Sequence, residues 1–170
     1  GELSPQLKIA TEHAVKRLDY SFNIQNKNDA ICDKQKIGDV AIEVLRGTYS
    51  SIDRKCANFP IFHTSDFSIH RAYVPKEYIL SSEKKKLVTG VIAVPGDILV
   101  ARVGRKKKKK VCMVNSGSVV ISDCILLLRM PLVYREVIFS YLRSQAGCLA
   151  LDGITHGVAA KFITVHSLLE

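Results

Sequence analysis

The sequence predicts an α+β fold, a β-rich globule of short mixed or antiparallel strands with flanking helices. The 170 residues are 47% hydrophobic and 24% charged, which is typical of a packed globular domain and excludes a wholly disordered chain. Short Val- and Ile-rich segments separated by turn residues fill the middle of the chain. Longer segments with a helical period precede and follow them.

The N-terminal segment, residues 4–18, predicts an amphipathic helix. Ser4 can cap it, Pro5 suits the first helical position, and apolar residues recur three, four and seven apart. The polar stretch 23–36 predicts a loop. The chain begins with Gly1, which indicates a piece of a longer polypeptide. We therefore expect residues 1–22 to be a helix and lead-in that link to an upstream domain, and residues 23–170 to form the main domain.

Residues 37–46 fit two periods. Ile37, Val40, Ala41 and Val44 recur at helical spacing, whereas Val40, Ile42 and Val44 alternate as in a strand. The pattern leaves a short helix and a strand both open. Gly47 is expected to end the element and to open a polar turn, GTYSS.

Six short segments between Phe59 and Leu128 predict β-strands. Each is bounded by turn sequences such as PGD, NSG and SD. Since no helix is predicted between them, an antiparallel or mixed sheet is expected rather than βαβ units. The predicted strands are Phe59–Phe62, Val91–Val94, Ile98–Val103, Val111–Val114, Ser118–Ile121 and Ile125–Leu128.

The last third predicts a helix that starts at Pro131 and stops at Gly147. The segment LDGITHG then predicts a turn, KFITV alternates like a strand, and HSLLE predicts a final helix capped by Ser167. The apolar face of the long helix consists of Val133, Val137, Ile138, Tyr141 and Leu142.

No membrane span, metal or cofactor is predicted. No stretch reaches 18 uninterrupted apolar residues, and a cytoplasmic protein is expected. Five cysteines without CxxC spacing predict buried free thiols, with a disulfide pair or a zinc site as alternatives. Five histidines without HxxxH or HExxH spacing predict no metal, and no glycine-rich phosphate-binding loop occurs.

The positive charge is concentrated in one region. The chain has 25 Lys and Arg against 16 Asp and Glu, a net charge of +9. Ten of these cations and one acid, Asp97, lie between Lys84 and Lys110, so the rest of the chain is neutral. Such a region predicts a polyanionic partner, nucleic acid first and an anionic membrane second.

The run RKKKKK follows one predicted strand and precedes another, which indicates a protruding hairpin loop. A charge run alone is equally typical of a solvated loop. The neighbouring cluster Lys84–Lys86 and the arginines beside Gly104 favour binding, with lysines positioning a phosphate backbone and other side chains contacting base edges. The candidate binding residues are Arg46, Thr48, Tyr49, Lys84, Lys85, Lys86, Arg102, Arg105, Lys106, Lys107, Lys108, Lys109, Lys110, Asn115 and Ser116.

Catalytic interpretations are weaker. The cadence PGDILVAR followed by KKKV resembles self-cleaving repressors of the signal-peptidase-like fold, which use a serine and a lysine, but the upstream serines lack the expected turn. Asp39 and Glu43 lack the lysine of a nuclease motif, and Asp152 and His156 fall in a glycine-containing turn. A serine–lysine peptidase and a generic RNA- or acidic-protein-binding domain remain the alternatives. The serines are Ser65, Ser68, Ser81 and Ser82.

A series of segments, in order, resembles the target-recognition domain of type I restriction-modification specificity subunits, including versions fused to adenine methyltransferases. The most recognisable is VPGDILVARVGR, similar to the family's GDIL strand followed by an arginine and a glycine. The five consecutive lysines depart from the shorter polar turn of the family. The other segments are KRLDYSFN, IGDVAIEVLRGTYS, FPIFHTSDFS, VISDCILLLRM, YREVIFSYLRSQAG and HGVAAKFITVHSLLE.

The resemblance implies a non-catalytic module that recognises duplex DNA, with a double-β-helix-like globule in residues 23–170. Specificity subunits of this family carry two such domains, each of which reads half of a split site. The implied partners are duplex DNA, and methyltransferase and restriction subunits or a fused methyltransferase domain. Pairing with a second copy is also compatible with the resemblance, and no membrane contact is implied.

Overall fold

Short strands and flanking helices make up the structure, a computed structural model that describes residues 36–68, 70–104, 110–154 and 164–169. The α+β class is confirmed, because the strands form one antiparallel and one mixed sheet beside a group of helices. The predicted helix 4–18 and almost all of the predicted loop 23–36 lie outside the described residues.

The elements are numbered here in chain order. The helices are α1 (Ile37–Val40), α2 (Ser51–Cys56), α3 (Ser82–Leu87), α4 (Leu132–Arg143), α5 (Gln145–Gly153) and α6 (Val165–Leu169). The strands are β1 (Glu43–Arg46), β2 (Ile61–Phe62), β3 (Ile92–Ala93), β4 (Ile98–Ala101), β5 (Val111–Met113), β6 (Val119–Ile121) and β7 (Ile125–Arg129). Each of the six predicted strands is thereby confirmed within its predicted range or one residue beyond it.

Two sheets share the strands. One is antiparallel throughout, in the order β1-β7-β4-β5, and the other is mixed, in the order β2-β6-β3, with β2 parallel to β6. The chain passes from the mixed sheet into the antiparallel sheet through the turn between β6 and β7, residues 122–124. This turn is important because it brings the same end of both sheets together.

The antiparallel sheet is buried on both faces, and this explains the unbroken apolar runs of β4 and β7. In β7, Leu126 and Leu128 pack with the helices, while Ile125 and Leu127 pack with the residues of the mixed sheet. All four are fully buried. Truncating one of these leucines to alanine would cost about 2–5 kcal/mol, since it removes apolar contacts and leaves a cavity.

Residues 37–47 contain both structures that the pattern left open. α1 ends at Val40, and the chain then enters β1, which pairs antiparallel with β7. The helix is short because Ala41 has extended backbone angles (φ −67°, ψ 140°). Gly47 follows the strand as predicted and is buried against the Ile121 and Ser122 carbonyl groups, where a Cβ would overlap backbone atoms.

Two short helices were not predicted; α3 lies between predicted strands and corrects the expectation that no helix separates them, whereas α2 lies before Phe59. Ser50 caps α2 by accepting a hydrogen bond from the Asp53 amide at 3.2 Å, and Ser81 caps α3 by accepting one from Lys84 at 3.4 Å. Neither helix contains a buried residue. They lack the apolar period that reveals a helix in a sequence, and their serine caps were the available signal.

The C-terminal helices differ from the prediction in where they end. α4 stops at Arg143, and Ser144 caps α5 by accepting a hydrogen bond from the Gly147 amide at 3.1 Å. Gly147 therefore lies inside α5, where a Cβ would overlap the Tyr141 carbonyl, so a close approach requires glycine there rather than a helix stop. The predicted turn LDGITHG likewise begins as helix, because α5 continues to Gly153.

The final helix is also capped one turn earlier than predicted. Ser167 lies within α6, and Thr164 caps it by accepting a hydrogen bond from the Ser167 amide at 3.0 Å. Most of the predicted strand KFITV lies outside the described residues, and its last residue, Val165, begins α6. Among the described residues, no helix is long and apolar enough to cross a membrane.

At one end of the antiparallel sheet, a buried ion pair joins Asp97, the residue just before β4, to Arg129, the last residue of β7. Asp97 is 2% exposed, and its carboxylate accepts hydrogen bonds from the Nε (2.9 Å) and Nη2 (2.8 Å) atoms of Arg129 in β7. The Val94 amide also donates to Asp97, at 2.8 Å, and Glu43 pairs with Arg129 from the other side. Asp97, the acid of the GDIL segment, therefore has a structural role.

Candidate nucleic-acid interface

Three of the described functional candidates, Arg46, Arg102 and Lys110, lie at the opposite end of the sheets from Asp97. In the antiparallel sheet, Arg46 pairs with Leu126, and Ala101, the residue before Arg102, pairs with Ile125. The carboxyl ends of β1 and β4 and the amino ends of β5 and β7 therefore meet. We call the surface formed by Arg46, Arg102, Lys110 and Asp123 the arginine edge.

The two arginines converge on one backbone oxygen. The Asp123 carbonyl accepts a hydrogen bond from Nε of Arg46 at 3.2 Å and another from Nε of Arg102 at 2.9 Å. This is possible because β1 and β4 flank β7 on its two sides, and Asp123 lies just before β7. A carbonyl oxygen has two lone pairs, so it can anchor both guanidinium groups side by side.

The two guanidinium groups lie close enough to influence each other electrostatically. Burial lowers the pKa of Arg102, and the nearby positive charge of Arg46 lowers it further. A guanidinium stays protonated in proteins, so the two positive charges persist next to each other. The Arg46 side chain is 51% exposed and lies 4.0 Å from the Asp123 carboxylate, from Nη2 to Oδ2. The arrangement is suited to a phosphate or another acceptor-rich partner.

The lysine-rich connection begins and ends at the arginine edge. β4 and β5 are antiparallel neighbours, and the Ala101 amide donates to the Lys110 carbonyl at 3.1 Å. Gly104 has a φ of +140°, which favours glycine, and Lys110 is half-buried beside it. Arg105 and Lys106 to Lys109 lie outside the described residues. The predicted hairpin connection between the two strands is thereby confirmed for its two ends.

Tyr49 connects the arginine edge to the segment before β3. Its hydroxyl donates to the Thr89 carbonyl at 2.5 Å, and its ring packs edge-on against Phe59 with a centroid distance of 5.4 Å. Its own carbonyl accepts a hydrogen bond from the Asp123 amide at 2.8 Å. Thr48 is exposed next to it. The structure thus gives Tyr49 an internal role and leaves Thr48 at the surface.

The lysine cluster 84–86 lies on α3. Lys84 and Lys86 are exposed and Lys85 is half-buried; Nζ of Lys84 is 3.5 Å from the Asn58 carbonyl. The segment after α3 reaches Tyr49 through Thr89, whereas the Leu80 amide before it donates to the Ser118 carbonyl. α3 therefore lies between these two contacts, and a surface shared by its lysines and the arginine edge remains a prediction.

Asn115 and Ser116 do not join this surface. They form an exposed turn after β5, whose last residue, Met113, pairs with Ile98 at the Asp97 end of the sheet. The turn also precedes β6, at the end of that strand opposite Asp123. Because β4 and β5 are antiparallel, Asn115 and Ser116 lie at the end of the sheet opposite Arg102. A role for them in the same contact remains a prediction.

Sequence reasoning missed Asp123 and His63 at the shared end of the sheets. Nδ1 of His63 lies 2.7 Å from Oγ of Ser122, and burial, followed by the charge of Arg54, lowers the pKa of His63. Asp123 appeared in the sequence as a turn residue. No local pattern distinguished it from other turn residues, because the pairing that brings both arginines to it joins segments far apart in the sequence.

Three of the four serines considered as nucleophiles have hydrogen-bond partners within the protein. Ser81 caps α3, the Ser65 hydroxyl lies 2.8 Å from Nη1 of Arg54, and the Ser68 hydroxyl accepts a hydrogen bond from the His70 amide at 3.3 Å. The cysteines Cys56, Cys112, Cys124 and Cys148 are free thiols, but Cys56 is exposed, contrary to the expectation of burial. Within the described ranges, no group of three or more His, Cys, Asp or Glu residues could hold a metal ion.

No protein-family model and no curated protein matches this sequence. Solved structures that are similar to it include the following two. One concerns the structural basis underlying complex assembly and conformational transition of the type I R-M system; it is 14% identical, with a TM-score of 0.49, and the match covers 97% of this chain and 39% of that one.

The second similar structure is the crystal structure of the HsdS subunit from Thermoanaerobacter tengcongensis, 14% identical with a TM-score of 0.43, covering 95% of this chain and 41% of that one. This chain therefore spans about two fifths of the length of either neighbour. By their descriptions, the first concerns a type I R-M system and the second an HsdS subunit.

Proposed function

We propose that residues 23–170 form a sequence-specific duplex-DNA recognition domain of a restriction-modification system, preceded by a linking segment, residues 1–22. The domain performs no chemistry of its own. One observation carries the proposal: two arginines share a single carbonyl oxygen at the edge where the lysine-rich connection begins and ends. Methyltransferase and restriction subunits, or a fused methyltransferase domain, supply the catalysis in the cytoplasm.

The arginines are suited to base contacts because they are anchored before DNA arrives. A guanidinium group can donate two parallel hydrogen bonds to O6 and N7 of guanine in the major groove. Fixing Nε of Arg46 and Arg102 on the Asp123 carbonyl reduces the side-chain entropy lost on binding. The exposed Arg46 therefore presents its terminal nitrogens in a preset orientation.

The lysines are suited to the phosphate backbone. A lysine ammonium is a compact charge without directional preference, so it neutralises phosphates and carries no sequence information. Replacing Lys106 to Lys110 with alanine should weaken binding to target and random duplexes alike. If all five meet phosphates, the slope of log K against log salt should flatten by about 4–5.

Two exposed lysines at the other end of the sheets provide a control. Lys36 precedes α1, and Lys76 follows the segment whose Val74 amide donates to Met113. Replacing both with alanine should leave the salt slope nearly unchanged. Fluorescence anisotropy with labelled duplexes at several salt concentrations measures these slopes. An unchanged affinity for random duplex after the five-lysine replacement would refute the phosphate contact.

The arginines are tested by sequence preference. Arg102→Ala and Arg46→Ala should each cost about 1–3 kcal/mol on the target duplex and less on random duplex, since a base contact is lost. Arg102→Lys keeps the charge and loses the bidentate geometry, so it should lose most of the preference too. Equal losses on both duplexes would contradict a role in base recognition.

Competition distinguishes the nucleic-acid alternatives. Unlabelled duplex DNA, single-stranded DNA, RNA and polyglutamate are added to the labelled duplex complex at one salt concentration. Duplex DNA should compete best, because the proposed contacts combine base edges with regularly spaced phosphates. Stronger competition by RNA or polyglutamate would favour the generic interaction domain instead.

A further inference from the structure

Asp123 occupies the centre of the arginine edge, between Arg46 and Arg102. Its backbone is held on both sides: its amide donates to the Tyr49 carbonyl at 2.8 Å, and its carbonyl accepts the two arginine Nε atoms. The side chain is 32% exposed. The backbone that carries the carboxylate is therefore held at a defined position, and the other residues of the arginine edge are cations.

The carboxylate makes weak contacts within the protein. The Cys124 thiol donates to Oδ1 at 3.4 Å, and Oδ2 lies 4.0 Å from Nη2 of Arg46, beyond hydrogen-bond distance. An ionised carboxylate can accept about four hydrogen bonds. Much of the accepting capacity of Asp123 is thus available to a ligand.

A carboxylate on a surface that binds DNA opposes the phosphates, because like charges repel. It becomes favourable only where it meets a hydrogen-bond donor of the DNA. In the major groove the base donors are the exocyclic amino groups of cytosine and adenine, and aspartate pairs with the cytosine N4 amino group. The neighbouring Arg46 can donate to O6 and N7 of a guanine, as in the proposed function.

We infer that Asp123 is a specificity-determining residue that accepts a hydrogen bond from the N4 amino group of a cytosine, while Arg46 contacts a guanine beside it. The arginine edge then selects a G·C base pair, because the Asp123 carboxylate accepts from the cytosine and the Arg46 guanidinium donates to the guanine. This inference rests on the proposed function, since it needs duplex DNA at the arginine edge.

The structure allows a clean test because the arginines are anchored by the backbone carbonyl of Asp123 and not by its carboxylate. Asp123→Asn removes the charge and retains that anchor. Glu136→Gln is the matched control, since Glu136 is an exposed acid on α4 and its replacement removes the same charge elsewhere. Both variants are made in the full 170-residue chain.

The first experiment selects bound duplexes from a randomised pool and sequences them. The unaltered chain and Glu136→Gln should select the same G·C pair at one position. Asp123→Asn should reduce that preference by about 5- to 20-fold. It should also bind random duplex about two- to five-fold more tightly at low salt, because a repulsive charge is gone.

The second experiment changes the DNA, so its main comparison uses the unaltered chain. The selected duplex is prepared with 2-pyrimidinone, which lacks the N4 amino group, in place of the chosen cytosine. The unaltered chain should bind it about 5- to 20-fold more weakly than the cytosine duplex. Asp123→Ala, which has no side-chain acceptor, should bind both duplexes almost equally, provided that its circular dichroism spectrum matches that of the unaltered chain.

The outcomes separate this inference from the proposed function. Absence of any duplex binding by the unaltered chain refutes the proposed function, and the inference with it. Sequence-selective binding that is unaffected by Asp123→Ala, or by removal of the cytosine amino group, refutes the inference alone. Selection of an adenine at the sensitive position also overturns the assignment to cytosine.

Discussion

The ion pair between Asp97 and Arg129 should be a main determinant of stability at the end of the sheets opposite the arginine edge. Asp97→Asn keeps the shape of the side chain and removes its charge. The carboxylate is nearly inaccessible and accepts two hydrogen bonds from Arg129 and one from the Val94 amide. The amide of asparagine would turn donors towards a guanidinium that has only donors.

The expected cost follows from the burial of the two partners. Breaking a buried pair on one side costs about 3–5 kcal/mol. Because the Arg129 side chain is 30% exposed and keeps Glu43 as a partner, we expect about 2–3 kcal/mol. For a chain of this length each kcal/mol lowers Tm by roughly 2–4 °C, so Tm should fall by about 5–10 °C.

Urea and thermal unfolding followed by circular dichroism measure this loss. Glu43→Gln is the control, because it removes the other acidic partner of Arg129, and that partner is 45% exposed. Its replacement should cost no more than about 1 kcal/mol. A loss for Asp97→Asn that does not exceed the loss for Glu43→Gln would show that the buried pair does not have the stabilising role inferred from its geometry.

Three further predictions concern the packing of single residues. Gly47→Ala should cost at least about 2 kcal/mol in urea unfolding, since a Cβ would overlap backbone atoms; Gly153→Ala, with open space around its Cα, should cost almost nothing, and similar losses for both would contradict this. Burial, followed by the hydrogen bond to Asp66, raises the pKa of Tyr78 from 10.0 to about 12. The stability contributed by the neutral phenol should therefore be lost as pH rises from 10 towards 12. Tyr78→Phe should reduce that loss. Burial raises the pKa of Cys112 to about 12, so iodoacetamide at pH 8 should label the exposed Cys56 and spare Cys112 in the native chain; rapid native labelling of Cys112, found by peptide mass mapping, would disprove its burial.

Local patterns predicted those elements that bury a regular apolar face. The strands β4 to β7 were predicted because their apolar runs are bounded by turn residues, and α4 because its apolar residues follow the helical period. The helices α2 and α3 were missed because neither buries a residue, so neither carries that period. Gly147 was misassigned because a glycine needed for close packing cannot be told from a helix stop in one sequence.

The concentration of positive charge and the positions of the strands in the sequence can be read along the chain, because charge and hydrophobic period are local properties. The meeting of Arg46 with Arg102 at Asp123, and the separation of Asn115 from both, cannot be read in this way. They depend on the strand order β1-β7-β4-β5, which joins segments far apart in the sequence. That order is decided by burying the antiparallel sheet between the helices and the mixed sheet, and only the tertiary structure contains it.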